Sequence, residues 1–268
     1  ARNQNSSLFL VTDDQKYIDF FNNCKLEKEI SDNCYITLSN CFEKDVKFNL
    51  TKKEALKIIE SKEIKELEEV KEKEFIIRTN KDFYSFRNIV KEYINFKFIE
   101  NGVDIENIST TYIGPEVNIE KGTKITGDTH IYGKSCIGKN NLISSSYIEN
   151  TNIKDDNKIL NSHIVGAMIG CKNEIGPFCR MRGKAVIDNE CVLGNFVEIK
   201  SSNIKDHVKI KHLSYIGDTF IEKNVNIGCG FVTANYDGKR KYPTTIEENV
   251  FVGCNTTIVS PVTLKENC

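Results

Sequence analysis

The sequence predicts a mainly β chain, a parallel β-helix built as a hexapeptide-repeat solenoid and preceded by a small α/β region and a linker helix. Two observations carry this. Aliphatic residues stand six apart at Ile113, Ile119, Ile125, Ile131, Ile137 and Ile143. Before residue 109 the texture differs, with apolar residues at helical spacing. A period of six fits neither a helix, at about 3.6, nor a simple alternating strand, at about 2.0. It fits a solenoid with three flat faces, one hexapeptide to a face, each aliphatic side chain pointing at the axis.

Taken in order, residues 1–82 form the α/β region, 83–108 the linker and 109–268 the solenoid. In the first, Thr51 to Lys62 reads as a helix. Thr51 suits an N-cap, Glu54 follows three residues on, and Ala55, Leu56, Ile58 and Ile59 share a face. The Lys/Glu-rich stretch Lys62 to Glu74 reads as solvated surface. A second helix, Phe83 to Glu100, places Phe86, Ile89, Val90, Tyr93 and Ile94 on one side and stops before Asn101 and Gly102, which suit a C-terminal cap.

Within the solenoid the fifth position of each hexad flanks a corner, and Val117, Thr123, Thr129 and Ser135 are small or β-branched there. The phase slips between Ile143 and Ile175. It resumes at Ile175, Met181, Ile187, Leu193 and Ile199, continues through Ile204, Ile210 and Ile216, and returns at Ile246, Val252, Ile258 and Leu264. The gap from Val232 to Thr245 is a loop leaving the stack, with Asp237–Gly238 as a tight turn at its tip. It gathers aromatic, amide and basic residues, a composition suited to binding.

The 37 basic and 38 acidic residues nearly cancel, so no general attraction to nucleic acid or an anionic membrane is expected. No apolar run is long enough for a membrane span and none resembles a secretory leader. A soluble, cytoplasmic protein is expected. Ten cysteines are scattered without a CxxC pair, which predicts reduced thiols. Cys136, Cys191, Cys229 and Cys254 fall where the repeat takes small residues, and read as compact fillers.

Polar specifics that a plain hexapeptide does not need begin at Gly176. Arg182 lies 18 residues, one full coil, before Lys200, so the two cations stack on one face. A guanidinium fork beside an ammonium suits a phosphate. His212, with Tyr215 three residues on, supplies an imidazole able to take a proton from an amine near neutral pH.

The segments ArgMetArg (180–182), PheValGluIleLys (196–200), HisLeuSerTyrIleGlyAsp (212–218) and AsnTyrAspGly (235–238) resemble one bacterial family. It is the bifunctional N-acetylglucosamine-1-phosphate uridyltransferase and glucosamine-1-phosphate N-acetyltransferase, in its acetyltransferase part, with a likeness running from Asn80 to Cys268. The resemblance implies a left-handed winding and transfer of an acetyl group from acetyl-CoA to the amine of glucosamine-1-phosphate, in UDP-N-acetylglucosamine and cell-wall biosynthesis. It implies His212 as catalytic base and Arg182, Lys200, Tyr215, Asn226 and Lys241 as holders of the amino-sugar phosphate. Cys229, Asn235, Tyr236 and Cys254 would line the acetyl-CoA site, the two cysteines standing where the family has residues such as Ala and Ser. It also implies a homotrimer with sites between subunits, small-molecule substrates and no metal.

Three departures qualify the likeness. GlyLys follows ArgMetArg where ProGly is usual. Residues 1–80 resemble only the end of the uridyltransferase domain, as a remnant marked at LeuThrLysLysGluAla (50–55), without its Gly-rich nucleotide loop, so no uridyltransferase activity is expected. Cys268 falls where the family continues through further coils, so an incomplete coenzyme A site is expected. Two other classes remain open: a non-catalytic β-helix scaffold, and a γ-carbonic-anhydrase-like zinc enzyme using His207 and His212, in which Cys171 occupies the place of the third imidazole.

Overall fold

The computed structural model describes residues 80–268 continuously and, before them, only the strands Leu8–Val11, Tyr35–Leu38, Val46–Lys47 and Lys73–Glu74. The chain divides into two compact units, Ala1–Tyr93 and Ile94–Cys268. In the first, the four short strands form one sheet in chain order, its first two pairs antiparallel and its last parallel. The expected helix at Thr51 to Lys62, the surface stretch that follows it and the marker at 50–55 lie outside the described residues. The second helix spans Asn80–Glu100, beginning slightly before the expected Phe83. Its end is a Schellman motif: the Val103 amide donates to the Phe98 carbonyl at 3.0 Å and the Gly102 amide to Ile99 at 2.9 Å. Gly102 takes φ +86° there, a conformation that costs glycine nothing.

The second unit is the solenoid, a left-handed parallel β-helix. One face is a nine-stranded parallel sheet running from Asn118–Ile119 to Val262–Leu264. The other two faces merge into a sixteen-stranded sheet, because the strands Val192–Lys200 and Lys209–Gly217 each run round a corner without a break. The aliphatic ladder fills the axis: Ile125, Ile131, Ile143, Ile148, Ile159, Ile164, Met181, Leu193, Ile199, Ile210, Ile216 and Ile246 are wholly buried. Each such side chain is worth about 1.5–3 kcal/mol relative to exposure.

The slip between Ile143 and Ile175 is a shortening of the coil and not an interruption. Ile143 pairs with Ile159 and Ile159 with Ile175, a coil of 16 residues, whereas Ile175 pairs with Leu193, a coil of 18. Two of the three sides lose one residue each, which puts Ile148, Ile153, Ile164 and Ile169 on the axis at five-residue steps. The tightened corners turn on Ser145, Asn150 and Asn161, all at positive φ, where Asn is among the best tolerated non-glycine residues.

Corner positions also carry the buried polar groups. The Thr123 hydroxyl donates to the Gly138 carbonyl at 2.8 Å and accepts from the Asn141 amide at 3.1 Å. Asn141, Asn157 and Asn173 then form a side-chain ladder at 3.1 and 3.0 Å, continued by the Cys191 amide donating to the Asn173 side chain at 2.8 Å. Cys191 therefore fills the corner as expected, with burial pushing its thiol up to about 12. Cys136 and Cys254 do not: both are exposed, because each lies at a position whose side chain points away from the axis.

The insertion after Val232–Ala234 lengthens one coil, since Ile227 pairs with Val252, 25 residues on, where the preceding step, Ile210 to Ile227, is 17. The loop folds on itself. The Asp237 carboxylate accepts from the Lys239 and Arg240 amides at 2.7 and 2.6 Å, and Gly238 turns at φ +94°. These amides, Arg240 first, hold the Asp237 carboxyl below its usual range.

Candidate active site

Parallel register brings the two predicted cations together, Arg182 lying directly beside Lys200 on neighbouring strands. Neither stands bare. Arg182 Nε donates to Glu198 Oε1 at 2.7 Å. Lys200 Nζ, almost fully buried, donates to both oxygens of Asp218 at 2.9 and 2.7 Å. Burial pulls the Lys200 ammonium down, the Asp218 carboxylate outweighs it, and the net effect holds the group above its ordinary value. Lys241, delivered by the insertion loop, is pushed the other way by the adjoining Lys200 ammonium, with Arg182 adding to the effect.

Asp218 is the hub of this cluster. Asn235 Nδ2 also donates to it, at 2.6 Å. A Cβ on Gly217 would meet the Tyr215 hydroxyl at 2.5 Å and Asn235 Nδ2 at 2.7 Å, so the bare α-carbon of Gly217 is what lets both polar groups settle here. Three cations face two carboxylates, Glu198 and Asp218, leaving an excess of positive charge with guanidinium, ammonium and hydroxyl donors. That chemistry suits a phosphate monoester.

The remaining predicted residues stand elsewhere. His212 sits in the corner stretch of Lys209–Gly217, exposed, its Nδ1 2.9 Å from Asn195 Oδ1 in the preceding coil. Asn226 lies on the next face, in register between Lys209 and Phe251. Cys229 and Cys254 occupy the corner turns that follow. Tyr236 is exposed, its hydroxyl donating to the Gly238 carbonyl at 2.6 Å. One chain thus gathers Arg182, Lys200, Tyr215, Asn235 and Lys241 on one side of the corner and Asn226 on the other, with His212, Cys229 and Cys254 stacked in the corner between. Within one chain His212 lies at the corner and not on the face that carries the cations, because the nine-residue strand turns between His212 and Tyr215.

Sequence reasoning passed over Asp218, Glu198 and Asn195. The coil-length rule that paired Arg182 with Lys200 could have found Asp218, 18 residues beyond Lys200, and Asn195, 17 before His212. The zinc alternative finds no support in the geometry. His207 faces Glu190 at 3.3 Å while His212 faces Asn195. Among the described residues no group of three or more His, Cys, Asp or Glu is placed to hold a metal, and no helix among them is long and apolar enough to cross a membrane.

A direct consequence for binding can be measured. Arg182→Ala or Lys200→Ala should each weaken binding of a sugar phosphate monoester by about 1–3 kcal/mol, the worth of a charge-assisted hydrogen bond. Because Lys241 is held below the ordinary lysine range, affinity should start to fall, as pH rises, before it does for an unperturbed lysine near about 10.4. Calorimetry showing unchanged affinity in both variants would place the phosphate elsewhere.

No protein-family model matches the chain. Against curated proteins, 176 residues are 40% identical to the bifunctional protein GlmU of Staphylococcus haemolyticus, covering 65% of this chain and 39% of that protein. A stretch of 180 residues is 43% identical to the bifunctional protein GlmU of Clostridium beijerinckii, covering 67% and 40%. The chain thus spans about 40% of the length of the relatives it matches. Among solved structures, a UDP-N-acetylglucosamine acyltransferase overlays 55% of this chain and 67% of its own at a TM-score of 0.43 and 17% identity, a likeness too distant to bear on function.

Proposed function

We propose that the chain is an acetyl-CoA-dependent N-acetyltransferase acting on glucosamine-1-phosphate in the cytoplasm, within UDP-N-acetylglucosamine biosynthesis. The cation cluster carries this reading, supported by the relation to the bifunctional GlmU proteins. Arg182 and Lys241 hold the substrate phosphate, Lys200 is kept charged and aimed by Asp218, and Tyr215 bonds the sugar. His212 takes a proton as the amine attacks the thioester carbonyl, after which coenzyme A leaves. Asn235, Tyr236, Cys229 and Cys254 line the donor's path. In this division residues 1–82 are a remnant of a nucleotidyltransferase-like domain, 83–108 a linker and 109–268 the acetyltransferase.

The separation of Asn226 from the cations argues that the site is completed by a second copy, in a homotrimer with Lys200 of one subunit and Asn226 of its neighbour at each site. Co-assembled Lys200→Ala and Asn226→Ala chains should then recover activity that neither variant has alone. If the mixture stays as inactive as its components, each site is built from one chain.

A further inference from the structure

Cys229 and Cys254 occupy the same place in successive coils. On either side of their corner Ile227 pairs with Val252 and Val232 with Thr257 at one constant offset, which sets Cys229 beside Cys254. The Asn255 amide donates to the Cys229 carbonyl at 2.7 Å, tying the two turns together. Neighbouring parallel strands lie about 4.8 Å apart, inside the Cα separation of about 4.4–6.8 Å that a disulfide spans. Both residues sit in turns, not strands, with Gly228, Gly230 and Gly253 flanking them, so the small adjustment that bonding requires falls on permissive backbone. Both thiols are free, Cys254 exposed and Cys229 partly so. Cys179 and Cys191, by contrast, are buried. The same register, Ile210 with Ile227 and Tyr215 with Val232, sets His212 beside Cys229 on its other side.

We propose that Cys229 and Cys254 form a cross-coil dithiol that is a covalent modification site for small-molecule disulfides. The Cys229 thiolate attacks one sulfur of the incoming disulfide, whose S–S bond breaks. One thiolate leaves and takes up a proton, and a mixed disulfide remains on Cys229. The Cys254 thiolate then attacks the Cys229 sulfur, forming the cross-coil bond and expelling the second small thiolate, which is protonated in turn. The two cysteines lose two electrons and the small disulfide gains them as two thiols. The consequence for activity rests on the function proposed above: the bond ties together two positions lining the donor's path and stops turnover until a thiol reduces it.

The test is oxidised glutathione added to the reduced protein, read by peptide mapping and, separately, by acetyl transfer. Mapping should find Cys229 bonded to Cys254 in the wild type. In Cys254→Ser it should find a persistent glutathione adduct on Cys229, since the resolving thiol is gone. Unmodified Cys229 and Cys254, or a lasting adduct without a cross-link in the wild type, would overturn the site. Cross-linked protein should lose most of its turnover and regain it with dithiothreitol. Cross-linked protein that keeps full turnover would leave the dithiol standing and overturn its link to the donor path.

Discussion

His212→Ala should lower acetyl transfer by about 10²- to 10⁴-fold while leaving the fold and the affinity for the amino-sugar phosphate nearly unchanged. The hydrogen bond to Asn195 suits this residue to the proposed role of base. An amide oxygen only accepts, so the 2.9 Å contact to Asn195 Oδ1 puts the ring proton on Nδ1 and leaves Nε2 with a free lone pair. Asn195→Ala should therefore act in the same direction and less severely, by freeing the tautomer. The loss in His212→Ala should shrink as pH rises, because more of the substrate amine is then already unprotonated. A variant matching the wild-type rate at pH about 7 would remove His212 from the mechanism, whatever the state of the fold.

Ile159→Asp should leave no folded solenoid at room temperature. The side chain is wholly buried and pairs in register with Ile143 above and Ile175 below, so a carboxylate there has only aliphatic neighbours along the axis. Burying an unpaired charge costs several kcal/mol, a large share of the about 5–15 kcal/mol that holds an ordinary domain together. Ile159→Val should cost about 0.5–1.5 kcal/mol and keep the fold. Circular dichroism separates the two, and a β spectrum retained by Ile159→Asp would show that the shortened coils are not packed as described.

The axis was the most legible part of the molecule, because one aliphatic residue per side leaves a period that survives in the bare sequence. Between Ile143 and Ile175 the same ladder continues at five-residue steps. A search for sixes sees only a lost phase, since the information lies in corner residues such as Ser145 and Asn150. The stacking of Arg182 on Lys200 was legible from coil length alone. Of their carboxylate partners, Asp218 follows from the same step of 18 residues beyond Lys200, whereas Glu198 does not, because charge pairing depends on where a side chain ends and not on its place in the repeat. Glu198 shows this best: it stands in register with Arg180 yet bonds Arg182. The distance of Asn226 from the cations was also hidden, because a repeat fixes which residues stack but not which face will meet a second copy. Cys136, taken for a corner filler, points to solvent.

The most direct measurement is release of free coenzyme A thiol when the protein is given acetyl-CoA with glucosamine-1-phosphate, and again with glucosamine lacking the phosphate. The account predicts release that depends on the amino-sugar phosphate, yields N-acetylglucosamine-1-phosphate in equal amount, and drops steeply when the phosphate is absent, since Arg182 and Lys241 then have nothing to hold. Release no faster with glucosamine-1-phosphate than without it would contradict the account and favour a β-helix that binds without catalysing.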